Sequence, residues 1–143
     1  MVERYCLNPP GMFQRVIEGK HVYSLLVVVR GTDHAHVHLT GRTSLLPDGK
    51  VAGVGDMRIQ IEQVCKNIKV GLDFIGATFA DVVRQTIYTT DVEEYIRCVD
   101  VRFAYFADPP PTDVLLQVSR LARPELLVEI ECQAVMESDR LLV

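Results

Sequence analysis

The chain has no tryptophan, few aromatic residues (7%) and only four cysteines. Those cysteines, Cys6, Cys65, Cys98 and Cys132, are scattered, and none forms the close CxxC pair that zinc ribbons and redox motifs require. They read as reduced thiols of a cytoplasmic protein. No apolar run approaches the roughly 18–20 residues of a membrane span, so no membrane partner is expected. The N-terminal stretch MVERYCLNPPG carries an early acid and no apolar core, which argues against a secretory signal. Lysine and arginine form no block and the formal net charge is -4, so nucleic acid is not expected as the main partner.

What is present suits one globular domain over residues 1–143, with 48% hydrophobic and 24% charged residues. The β-branched run HVYSLLVVV (21–29) reads as a strand, GTD breaks it, and HAHVHLTG (34–41) alternates polar and apolar residues. Together they predict a hairpin. LPDGK (46–50) holds a second turn signal. From Asp56 the period lengthens. Ile61, Val64, Cys65, Ile68, Leu72 and Ile75 recur at three- and four-residue steps, one apolar face of a helix capped by Asp56 and stopped at Gly76. DVVRQTIYTT (81–90) reads as a strand. Asp91 and Glu94 resemble a capping box that opens a second helix, with Val92, Tyr95, Val99, Phe103 and Phe106 on one side. DPPP (108–111) stops that helix, and two strands follow, DVLLQVSRL (113–121) and LLVEIECQAV (126–135). The order β-β-α-β-α-β-β is an α+β pattern with two helices on one face of a single sheet.

Strand side chains alternate between faces. His34, His36, His38 and Thr40 oppose Ala35, Val37 and Leu39; Glu129, Glu131 and Gln133 oppose the apolar set of the last strand. On 113–121 the same rule sends Val114, Leu116 and Val118 toward the helices and Asp113, Leu115, Gln117 and Ser119 away from them. The uncovered face then carries histidines, acids, glutamines and hydroxyls. It either meets water, as one side of an antiparallel sheet commonly does, or meets other subunits. The three histidines also raise the question of a metal. Same-face neighbours on a strand lie about 6.5–7 Å apart, so three in a row do not converge on one ion, and no metal site is assigned.

The chain resembles the RidA/YjgF family, also labelled endoribonuclease L-PSP or reactive-intermediate deaminase, over about residues 23–135. HLTGRTSLLPDGKV resembles the family's strand ending in Ser-Gly-Gln before a Pro-rich turn. DMRIQIEQVCKNIKVGLDFIGATFADVVRQTIYTTDVEEY resembles its helix–strand block, and VSRLARPELLVEIECQAV its closing Val-x-Arg-Leu and Val-Glu-Ile-Glu segments. The resemblance implies a chorismate-mutase-like α+β fold with a mixed sheet and a homotrimer around a central β-barrel. It also implies small-molecule clefts at the subunit interfaces that hydrolyse enamines and imines to 2-oxo acids and ammonia without a cofactor.

The resemblance also implies an arginine that binds the substrate carboxylate, seven positions before the arginine of Val-x-Arg-Leu. Here Arg120 is that second arginine and Asp113 stands seven residues back. The family's neighbouring thiol falls on Leu115, its cleft serine on Thr40, its cleft glutamate on Glu131, and its cleft tyrosine near Tyr23. Arg42 stands where glutamine is usual. It either relocates the positive charge or pairs with an aspartate at a surface or interface. Four functions follow. One is an imine or enamine deaminase of altered specificity, with Glu131 and Thr40 handling water and Tyr23, Arg42, Asp113 and Leu115 binding substrate. Another is a non-catalytic trimer binding a metabolite or protein. The third is a metal site shared by histidines of three subunits, and the fourth, least compatible with the charge, is a ribonuclease.

Overall fold

Two periodicities build the fold, and the computed structural model, which describes residues 1–143, shows where each ends. The strands are β1 (Glu3–Leu7), β2 (Val16–Ile17), β3 (Lys20–His21), β4 (Leu26–Arg30), β5 (His34–Arg42), β6 (Val82–Thr89), β7 (Thr112–Gln117) and β8 (Val128–Glu137). The helices are α1 (Met57–Ile75) and α2 (Val92–Arg97). Six strands form one mixed sheet in the order β1-β4-β5-β8-β6-β7, antiparallel except for the parallel β6–β7 edge, and β2–β3 form a separate small ribbon. The helices cover one face, and apolar residues of β4, β5, β6 and β8 join theirs in one buried cluster.

α1 follows its sequence closely. The Asp56 carboxylate accepts the Ile59 N–H at 3.0 Å, satisfying one of the free donors of the first turn. Gly76 closes the helix at φ 81°, a left-handed conformation that glycine adopts without a Cβ clash. The face between them buries Ile61, Val64, Cys65, Ile68, Leu72 and Ile75.

The second helical segment differs from its expected form. α2 ends at Arg97, and Val99–Ala104 continues as a 3-10 turn. Tightening from 3.6 to 3.0 residues per turn rotates the later side chains. Phe103, expected inside, is 71% exposed, and Arg102 is buried instead. Its guanidinium donates to the Tyr95 hydroxyl at 2.8 Å and lies 5.0 Å from the centre of the Phe106 ring.

β7 is shorter than expected, and its faces are reversed. In the parallel register Asp113 stands opposite Gln85 and Leu115 opposite the buried Ile87. Directly paired residues share a face, so Asp113, Leu115 and Gln117 look toward the helices. Leu115 packs on the core, and Gln117 accepts the Val92 N–H at the start of α2. Val114 and Leu116 are left exposed on the uncovered face. The apolar count misled here because β7 is an edge strand whose polar residues find partners beneath it. β1 was not foreseen; Glu3–Leu7 adds to β4 as the opposite edge.

Candidate functional site

A bulge in β5 separates two clefts. Leu39 pairs with Cys132 and Arg42 with Ile130, so three steps on β5 face two on β8. The extra residue lies at Thr40–Gly41 and breaks the alternation. Thr40 stays on the uncovered face, and Arg42, which strict alternation would place beside it, turns inward and is 5% exposed.

The first cleft, about 350 Å³, lies on the uncovered face. Thr40 and Glu131 line it together with His38, Arg84, Thr86 and Gln133. Glu131 is exposed and accepts a hydrogen bond from the Tyr88 hydroxyl at 3.1 Å. Burial and that bond both push the Tyr88 phenol upward. His34, His36 and His38 are exposed along β5, and nowhere in the chain do three or more His, Cys, Asp or Glu side chains gather as a metal could require.

The second cleft is a pocket of about 50 Å³ beyond the bulge, lined by Tyr23, Gly41, Arg42 and Glu129, with Phe13 and Arg15 at its edge. Arg42 donates to the Gly41 carbonyl at 3.1 Å and to the Phe13 carbonyl at 3.3 Å. Burial pulls its pKa below the usual arginine value, while Tyr23 and Glu129 favour its charge. Glu129 shows the counterpart. Burial raises its carboxyl above the usual range, Arg42 opposes that rise, and Glu131 two residues on adds to it. Gly41 makes the arrangement possible, since a Cβ there would collide with the Glu129 carboxylate. A half-buried carboxyl of raised proton affinity beside a guanidinium and a phenol can bind a carboxylate and move a proton.

The structure thus brings Tyr23 and Arg42 together in one pocket and Thr40 and Glu131 in another. Asp113 and Leu115 line neither. Asp113 lies on the helix side, 3.8 Å from Arg102, so within one chain its arginine is Arg102 and not Arg42. The residue missed in the sequence is Glu129. It shares its face with Glu131, and only the bulge beside it marks the strand end where a pocket forms. The two thiols nearest the sheet core do not suit nucleophilic chemistry: Cys65 and Cys132 are buried, and burial pushes both up to about 12.

A family model described as Endoribonuclease L-PSP matches residues 16–136. The chain belongs to this family, the RidA/YjgF proteins. A RutC family protein of Pyrococcus abyssi is 32% identical over 101 residues, covering 71% of this chain and 79% of that protein. Protein DfrA of Myxococcus xanthus is 38% identical over 97 residues, 68% of this chain and 73% of its own. Among solved structures, a member of the YjgF/YER057c/UK114 family from Mycobacterium tuberculosis superposes with a TM-score of 0.65 at 33% identity, covering 80% of this chain and 86% of its own. RidA from an Antarctic Psychrobacter superposes with a TM-score of 0.78 over 92% of this chain and 99% of its own, a likeness of fold at 24% identity. The RidA-like α+β architecture follows from these matches and from the mixed sheet with its two helices. The matched region begins at Val16, seven residues before Tyr23, and takes in Arg42, Glu129 and Glu131. No helix is long and apolar enough to cross a membrane.

Proposed function

We propose that the chain is a cytoplasmic, cofactor-independent imine and enamine deaminase, working as a homotrimer with small-molecule clefts between subunits. The observation that carries this reading is the Arg42–Glu129 pocket, with Tyr23 beside Arg42 and Gly41 leaving room for the carboxylate. The guanidinium fork of Arg42 suits a substrate carboxylate and supplies the positive charge that Asp113 does not. Glu129 takes a proton from water as the oxygen adds to the C=N carbon. It then returns that proton to the nitrogen to give the carbinolamine, and carries the hydroxyl proton to the amine as the C–N bond breaks, leaving a carbonyl and ammonia. An enamine enters the same route after protonation at carbon gives the imine. One water is consumed for each ammonia released.

The uncovered sheet face supports self-association. It mixes the exposed Val114 and Leu116 with His36, His38 and Gln133, a composition that suits an interface better than a solvated surface. In a trimer, Asp113 and Leu115 would reach a ligand only in a neighbour's pocket, and Thr40 and Glu131 would bind water or substrate from the sheet face. The exposure of Glu131 favours a second reading, a non-catalytic trimer that binds a metabolite or protein. The test is imine turnover. With 2-imino acids generated in situ, the protein is expected to speed ammonia release well above the spontaneous rate. Thermal-shift binding of 2-oxo acids with no turnover across a broad imine panel would favour the non-catalytic trimer.

A further inference from the structure

We infer that the ligand of the Arg42 pocket carries two anionic groups, the first held by Arg42 and the second by Arg15 and Arg123 beside Phe13. This rests on the reading of that pocket as a carboxylate site. Three arginines gather around one residue, Phe13. Arg42 donates to its carbonyl, while the guanidinium carbons of Arg123 and Arg15 lie 5.7 Å and 5.9 Å from its ring centre. Cation–π attraction at these distances holds each guanidinium near the ring while its N–H groups can still bind an anion. Arg123 spends one donor on the Gly49 carbonyl at 2.6 Å. None of the three takes part in the ion pairs of the chain. The only acid lining the pocket is Glu129, which faces Arg42. Arg15 and Arg123 thus stand without a carboxylate partner beside a pocket that holds one acid.

The size of the pocket divides the ligand. Its 50 Å³ exceeds by a few-fold the roughly 10–15 Å³ that one water needs by the same kind of measure. That accommodates a head group the size of a carboxylate with its adjoining carbon, and the rest of the ligand must extend to the mouth. Arg15 lines the pocket and Arg123 approaches the ring of Phe13, another lining residue, so a second anion is drawn to that side. The ligand class is a 2-imino or 2-oxo acid with a side-chain carboxylate or phosphate, in preference to a simple monocarboxylate.

Calorimetric titration of the full-length protein at low ionic strength tests this with pyruvate and 2-oxoglutarate as mono- and dianionic probes. 2-Oxoglutarate is expected to bind at least about tenfold more tightly, the difference shrinking as salt is added. Arg15→Gln with Arg123→Gln should bring the two probes to within about twofold, 2-oxoglutarate losing more affinity than pyruvate. Equal binding of both probes by the unmodified protein, or a preference that survives the double substitution, overturns the inference and leaves the Arg42–Glu129 reading standing. Binding of neither probe overturns both.

Discussion

Asn67 gives the sharpest test of how α1 holds the site. It is 7% exposed, and its amide nitrogen donates to the Thr43 carbonyl at 2.8 Å and the Leu45 carbonyl at 2.9 Å. Its oxygen accepts from Gln63 at 2.9 Å. These bonds fix the chain just after the β5 bulge, the segment that presents Arg42. Asn67→Ala strands two carbonyls next to the fully buried Ser44. At about 1–3 kcal/mol for each unsatisfied buried group, less where water reaches one, the expected loss is about 2–4 kcal/mol. Asn67→Asp keeps the shape but aims acceptors at acceptors. Burial and the two carbonyls disfavour its charge, so the folded pKa of the new carboxyl must lie above its unfolded value. The folded state then binds more protons between those two values. Relative to the parent, this variant is most stable below the unfolded carboxylate range near pH 4 and loses stability as pH rises through the folded pKa. Urea unfolding at several pH values measures both effects. An Asn67→Ala loss under about 0.5 kcal/mol, or a flat pH dependence for Asn67→Asp from pH 4 to 8, would refute this account of the loop.

Three further outcomes are expected. Gly41→Ala should cost about 1–3 kcal/mol and displace the Glu129 carboxylate, seen as a changed Glu129 titration by carboxyl NMR. Arg102→Met should cost about 1–3 kcal/mol by urea unfolding, because the buried Tyr95 hydroxyl loses its partner, while Asp113, its side chain 46% exposed, strands little buried charge. Arg102→Ala, which also leaves a cavity, should cost more, about 3–5 kcal/mol. Burial raises the Asp81 pKa, but the Arg140 and Thr78 hydrogen bonds outweigh it and hold the carboxyl below its usual value. The stability it contributes is therefore present above the unfolded carboxylate range and lost as pH falls through the folded pKa. Arg140→Ala should flatten that acid limb.

α1 was legible because its 3.6-residue period, the Asp56 cap and the Gly76 stop all agree. The alternation of β5 was equally plain from His34 to Leu39. Legibility failed where one residue changes the phase. The bulge at Thr40–Gly41 turns Arg42 inward, and a single sequence does not distinguish that glycine from one in an unbroken strand. On β7, Leu115 faces the core while Val114 and Leu116 do not, because its parallel register with β6 decides the face and apolar count does not. Glu129 and Glu131 are two residues apart on one face, and only the three-dimensional end of the strand separates a pocketed acid from an exposed one.

The central claim is that Glu129 handles the proton, and comparing Glu129→Gln with Glu131→Gln in imine hydrolysis tests it most directly. Loss of a general acid/base is worth about 10²–10⁴-fold. Glu129→Gln should fall by at least about 100-fold, while Glu131→Gln stays within about threefold of the parent. The reverse pattern, with Glu131→Gln inactive and Glu129→Gln active, would contradict the account and move the chemistry to the sheet-face cleft.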